Sequence, residues 1–276
     1  VVVGCSGGAD SVALLALAAV ARADVVAVHV DHGLRPGSHT EADLVAEVAR
    51  RFGADFRAER IRIEPGPNLE ARARQARYAV LPHDVLTGHT ADDQAETVVL
   101  NLLRGAGPTG LSGMRAARHP LLALRRSETV ALCSSLGLAP IEDPTNRSAI
   151  FRRNRIRHEL LPLADDIAAR DTRAVLARTA ALLREDDDHL ESLAAAIDPT
   201  RAIALTSAPA PLARRAVRRL LHAHLGGYPP DLDAVERVLS VARGDSVACE
   251  VAGGVRVRRS AQRLIIEPAH GNSTGM

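Results

Sequence analysis

Ser6-Gly7-Gly8-Ala9-Asp10-Ser11, close to the start of the chain, has the residue types of a phosphate cradle. Gly7 and Gly8 let the backbone turn sharply and approach a ligand with no β-carbon in the way. Ser6 and Ser11 add hydroxyl donors, and a helix starting here aims unpaired N–H groups and its positive dipole end at an anion. Asp10 is then placed to meet phosphates through a metal ion. The same residues also suit a plain capped turn from strand to helix, since Ser and Asp are favoured caps. All 35 basic residues are arginine, so this is not the G-x-x-x-x-G-K-[ST] loop; nor do Gly4, Gly7 and Gly8 fall at G-x-G-x-x-G spacing.

Two further polar clusters stand out. His89, Asp93 and Glu96 recur at i, i+4, i+7 in GHTADDQAET, which places them on one face of a helix beginning after Gly88. Asp92 reads as the cap or first-turn charge of that helix. His29, Asp31, His32 and Arg35 close a strand-like run. Strand alternation turns His32 away from the other two and no fourth ligand follows, so a zinc centre is disfavoured against lining of a nucleotide pocket.

These clusters need elements to position them. Strand-like runs at Val1–Gly4, Val25–Val30 and Val85–Gly88 alternate with helical patterns at Ser11–Ala23, Thr40–Phe52, Leu69–Leu81 and Ala91–Arg104. That order predicts an α/β fold with a parallel sheet, whose ligands sit at the carboxyl ends of the strands, where all three clusters fall. Two connections read as too short, as though chain were missing there: Pro82-His83-Asp84, and Arg115–Pro120. From about Leu163 the pattern becomes helical. An amphipathic stretch holding Leu176, Leu183 and Leu190 carries the acidic run Glu185–Asp188 on its expected solvent face, followed by a basic helix Pro211–Leu225, a helix Leu232–Ala242 and β-like alternation from Ser246 to Glu267. The expected division is residues 1–163, a smaller, mainly helical domain over 164–270, and a disordered tail, 271–276.

With 276 residues, 46% of them apolar, the chain can bury two cores, and no apolar run reaches the roughly 20 residues of a membrane span. It opens in mid-strand without a methionine, which implies a preceding segment. Cys5, Cys133 and Cys249 are too scattered for a disulfide framework or a C-x-x-C pair, which fits a reducing cytoplasm. Net charge is only +2, but the arginines cluster at Arg147–Arg157 and at Arg214, Arg215, Arg218 and Arg219.

The motif SGGADS resembles the PP-loop of ATP pyrophosphatases, which cleave ATP between the α and β phosphates. With VDHGLR, ARARQARYAVL, GHTADDQAET, LLRGAGPTGLSGM, PLLALRRSET, EDPTN and NRIRHELLP, the first 165 residues resemble the tRNA(Ile)-lysidine synthetase family. His119 departs from it, since the family usually has Arg there. The C-terminal part resembles the family's first C-terminal domain, without the further domain that some members carry. The resemblance implies a parallel-sheet PP-loop domain (adenine nucleotide α-hydrolase-like), ATP and Mg2+ as cofactors, and a two-step ligation. Cytosine O2 of a CAU-anticodon isoleucine tRNA is adenylated, then free L-lysine attacks C2. It implies Ser6, Gly7, Gly8, Ala9, Asp10, Ser11, His32, Gly88 and His89 for ATP, Asp10 for the metal, and Asp93 and Glu96 for the lysine ammonium. Arg77 and Arg104 would meet phosphate or tRNA charge; Arg152, Arg153, Arg155, Arg215 and Arg219 would grip tRNA. No membrane partner is expected, and a homodimer is allowed. The alternatives are a PP-loop tRNA thiolase or another adenylating enzyme, and a non-catalytic RNA-binding protein; scattered cysteines oppose the first and the intact loop opposes the second.

Overall fold

The computed structural model of the chain describes all residues except 23, 32, 34–38, 62–71, 73–75, 78, 142–147, 226–229 and 268–276. It divides into two compact units, Val1–Arg184 and Glu185–Met276.

The first unit is built on β1 (Val2–Gly4), β2 (Val26–Asp31), β3 (Asp55–Arg60) and β4 (Leu86–Thr87), all parallel, in the order β3-β2-β1-β4. β1 and β2 are apolar because the sheet is covered on both faces. Val3 and Ala27 pack with Val12 and Leu15 of α1 (Ala9–Ala21) and Val45 of α2 (His39–Arg51), while Val28, Leu81 and Val85 form a separate small core. β3 was not expected from sequence. Its run DFRAER is largely exposed and carries charges at Arg57, Glu59 and Arg60, which break the apolar signal but suit an edge strand.

α3 (Ala91–Leu103), the short α4 (Pro108–Leu111) and α5 (Arg126–Ser135) follow. Of the expected helix Leu69–Leu81, residues 72, 76, 77, 79 and 80 are described as helical. Both short connections close as turns. Val85 N–H donates to Pro82 O at 3.1 Å, and Ala116–Arg118 is a 3₁₀ turn tied by His119 N–H to Ala116 O at 2.9 Å. α6 (Arg152–Arg155) runs through a π-helical turn, Ile156–Leu160, into α7 (Leu161–Ala168), and α8 (Thr172–Ala195) comes next.

The boundary between the units falls inside α8, about twenty residues beyond the expected one. Asp165 accepts hydrogen bonds from Thr172 N–H (2.8 Å) and the Arg173 guanidinium (2.5 Å), and Arg184 donates to Ser112 O (3.1 Å) and Gly113 O (2.6 Å), so the front half of α8 is fastened to the first unit.

The second unit comprises the rest of α8, α9 (Ala202–Ser207), α10 (Ala210–His224), α11 (Leu232–Arg243) and an antiparallel sheet of β5 (Ala248–Val251), β6 (Val255–Ser260) and β7 (Arg263–Glu267). Val217, Leu221, Val235, Val238, Val257 and Leu264 are among its core residues. The expected tail, 271–276, lies outside the described residues. No helix among the described residues is long and apolar enough to cross a membrane.

Candidate active site

The turn from β1 into α1 is open to a ligand. Gly8 takes the N-cap position with no side-chain cap, so the first N–H groups of α1 have no partner from a capping side chain. Gly7 has φ of +85°, a conformation that favours glycine, while the nearest atom to an added β-carbon, the Ile141 terminal methyl at 2.7 Å, belongs to a side chain that can give way. Ser11 is buried and its single hydroxyl hydrogen goes to Gly8 O at 2.8 Å, while its oxygen accepts from Ser6 N–H at 3.1 Å. Ser11 therefore shapes the loop, and exposed Ser6 is the hydroxyl that faces outward. The expectation that Ser11 donates to phosphate is corrected on this point.

The second cluster converges on this loop through an arginine that sequence reasoning did not single out. Arg126, the first residue of α5, donates from Nε to Asp10 Oδ2 at 3.0 Å and from Nη2 to Asp93 Oδ1 at 2.9 Å, and Thr129 donates its hydroxyl to Asp10 Oδ1. Asp93 also accepts from Thr90 N–H at 2.9 Å and Thr90 Oγ1 at 3.1 Å, so it is this carboxylate that caps α3. Asp92, expected as the cap or first-turn charge, stands in the first turn of α3 and accepts from Arg126 N–H (2.8 Å) and the Arg125 guanidinium (3.0 and 3.1 Å), securing the start of α5. Glu96 is 1% exposed, with Oε2 on Arg153 Nε at 2.9 Å and on Arg157 Nη2 at 3.0 Å, and Oε1 on Arg157 Nε. Arg153 also reaches Thr97 Oγ1 at 2.9 Å.

Three carboxylates are thus matched by three guanidinium groups, and the matching revises two expectations. Both oxygens of Glu96 already accept from guanidinium groups, so its charge is balanced without an ammonium ion. Arg153, expected on tRNA, is engaged inside the cluster. Arg157 was overlooked, although Arg153 and Arg157 stand at i, i+4, the spacing that aims both at one target.

The two aspartates on Arg126 are pushed apart. Burial raises Asp10 above the usual carboxylate range, more than Arg126 and the Thr129 hydroxyl lower it. Asp93 is held down at about 2: burial works against its charge, but Arg126, the Thr90 N–H, His89 and Arg153 outweigh it. Arg126 is raised, the nearby Asp93, Asp10 and Glu96 overcoming its own burial. Asp93 is therefore a fixed charge and too weak a base to take a proton from an ammonium.

Gly88 lies against α1, and His89 beside it shares one hydroxyl with His119. Thr87 Oγ1 is 2.7 Å from His89 Nδ1 and 2.6 Å from His119 Nδ1, and the two rings meet edge to face with centroids 4.7 Å apart. One hydroxyl hydrogen serves one imidazole, so the other must donate to it. His29 is 2% exposed with Nδ1 on Cys5 O at 3.0 Å, and Asp31 accepts from Gly33 N–H at 2.8 Å. Among the described residues no group of three or more His, Cys, Asp or Glu is arranged to hold a metal ion. His32 lies outside the described residues. Arg77 is half-buried in its helical stretch.

In the second unit, Arg215 is 9% exposed and bonds Asp187 (2.7 Å) and Glu191 (2.8 Å), with Asp187 itself 1% exposed. Arg219 donates to Ala194 O at 3.1 Å and Ile197 O at 3.3 Å. The expected basic face and acidic solvent face are at this point one internal ion pair, so Arg215 is corrected from a tRNA contact to a residue that holds α10 to α8. Arg104, Arg152 and Arg155 remain exposed.

Residues 1–164 match the PP-loop domain family. Similar proteins include tRNA(Ile)-lysidine synthase of Nocardia farcinica (strain IFM 10152), 45% identical over 273 residues, covering 92% of this chain and 86% of the relative. That of Mycobacterium tuberculosis (strain ATCC 25618 / H37Rv) is 39% identical over 287 residues, covering 95% and 86%. Among solved structures, the U34-tRNA thiolase NcsA from Methanococcus maripaludis with its [4Fe-4S] cluster superposes with a TM-score of 0.54 at 17% identity, covering 66% of this chain and 72% of that one. This last likeness is one of fold.

Proposed function

Since the chain belongs to the tRNA(Ile)-lysidine synthase family, built on a PP-loop domain, we propose that it ligates lysine to the wobble cytidine of the CAU-anticodon isoleucine tRNA. Cytosine O2 attacks the α phosphate of ATP and diphosphate departs; the lysine ε-amine then attacks C2 and AMP departs. The observation that carries this reading is the uncapped loop at Gly8 beside the Asp10–Arg126–Asp93 bridge: N–H donors for phosphate, and next to them a carboxylate and a guanidinium.

Each residue then has a physical task. Ser6, Gly7, Gly8 and Ala9 present backbone and hydroxyl donors to the phosphates, with Gly88 and His89 closing the adjoining wall. Asp10 suits Mg2+, a hard cation that typically takes one or two carboxylates and completes its shell with phosphate and water oxygens. When bound, the metal supplies charge stabilisation at the phosphates. Arg126 is placed to shift from Asp10 to those phosphates. Lysine must react as the neutral amine, only on the order of 10⁻³ of it at pH 7. A site already balanced by its own arginines gives its ammonium form little to pair with.

The scattered cysteines do not favour a thiolase: Cys5 and Cys133 are buried, and burial raises both thiols, the mark of packing residues. The test is conversion of ATP to AMP and incorporation of labelled lysine, with and without a CAU-anticodon isoleucine tRNA transcript. Transcript-dependent incorporation of lysine is expected; sulfur transfer without lysine would overturn the proposal.

A further inference from the structure

An open groove of about 460 Å³ lies on the first unit between the C-terminal end of α3 and the α6–α7 helix, a volume suited to a small organic group. Its floor is apolar and exposed, with Leu103 67%, Leu163 53% and Leu160 38% accessible. Arg104 and Arg152 stand on its rim, exposed, and among the described residues neither has an ion-pair partner. The one acid of the lining, Glu159, is held by Arg155 at 2.8 to 3.1 Å, so three arginines face one carboxylate and the groove is net cationic.

An apolar floor under unpaired guanidinium groups matches an unstacked nucleotide: the base faces are apolar and the flanking phosphates anionic. We propose that this groove holds one nucleotide of the tRNA outside the reacting one, with its base over Leu103 and Leu163 and its phosphates on Arg104 and Arg152. This rests on the tRNA reading above and extends it to a second contact. The spacing suits it. Leu103 follows Glu96 by seven residues on α3, about 10 Å along the helix, or roughly three stacked nucleotides from the carboxylate cluster. The two contacts also share a backbone: Arg153 and Arg157 turn to Glu96, while Arg152 and Leu160 of the same helical run line the groove.

The test is binding of the CAU-anticodon transcript by the full chain across a salt series, with ATP affinity as the folding control. Arg104→Gln with Arg152→Gln should weaken binding tenfold or more and reduce the salt slope by about two, one for each phosphate contact. Leu103→Ala should weaken it severalfold at an unchanged slope, because a base contact releases no counterion. Unchanged affinity and slope in the arginine variant would overturn the proposal. So would a Leu103→Glu variant that breaks a dimer in sedimentation yet binds tRNA normally, which would make the groove a contact between copies. A wild-type chain that binds the transcript and responds to these substitutions without incorporating lysine would sink the catalytic reading and leave the groove standing; normal ligation with unresponsive variants would do the reverse.

Discussion

Gly88 and Asp10 meet backbone to backbone: a β-carbon on Gly88 would lie 2.4 Å from the Asp10 carbonyl oxygen and 2.9 Å from Ser11 N. Neither contact is with a flexible side chain, so Gly88→Ala must push the start of α1 away from β4. Overpacking of this kind costs about 1–3 kcal/mol. The expected outcome is a lower melting temperature together with loss of ATP affinity. Normal ATP binding in the variant would show that the loop tolerates displacement.

The divergent aspartates should separate in stability. Asp93 ionises at about 2 in the fold against an ordinary 3.8, so its contribution is present above pH ~4 and is lost as pH falls toward 2. At pH 7 it amounts to about 2 kcal/mol, and Asp93→Asn should lose it. Asp10 is shifted the other way, so its charge opposes folding at neutral pH. Asp10→Asn should therefore leave the melting temperature unchanged or raised at pH 7, while abolishing AMP formation. Equal destabilisation by both variants in thermal melts at pH 7 would refute the assignment.

Arg126→Gln leaves Asp10 and Asp93 facing each other without their shared cation. Divalent cations should then bind the nucleotide-free protein several-fold more tightly than they bind the wild type, read by Mn2+ titration with electron paramagnetic resonance. AMP formation should fall. Weaker Mn2+ binding in the variant would place the metal away from this pair.

Arg215→Ala takes away the guanidinium that buried Asp187 shares with Glu191, and removing one member of a buried pair costs roughly 3–5 kcal/mol. Unfolding of the second unit should come at lower denaturant, and tRNA affinity should fall only as far as that unit unfolds. Replacing Arg215 and Asp187 together by Met and Leu should restore much of the stability. A variant that stays folded but binds tRNA with a flatter salt dependence would return Arg215 to the RNA surface.

Much of the catalytic side was legible because its signals are local. The loop is six consecutive residues, and the Asp93 and Glu96 face follows from helical spacing alone. Their partners were harder to see. Arg126 acts across 116 residues of sequence from Asp10, and nothing in RRSET distinguishes it from Arg125 until α5 turns one guanidinium to Asp10 and Asp93 and the other to Asp92. β3 was hidden because an edge strand can carry the charges that mask it. Charge runs misled most: Asp187 sits in EDDD and Arg215 in ARRAVRR, both reading as solvated, yet they find each other in the interior.

The π-helical turn at Ile156–Leu160 closes with Leu161 N–H bonded to Ile156 O, one residue further back than an α-helix allows. The wider turn takes up that surplus residue, so the two halves of the helix keep nearly the rotational phase of a continuous one. Deleting one residue there should restore regular winding and leave Leu163 on the side it now shares with Arg152. The same deletion a turn further on, where the winding is already regular, would swing everything downstream by about 100°. The segment thus behaves as slack in the helix, a place where its length can change by one residue without changing the surface it shows.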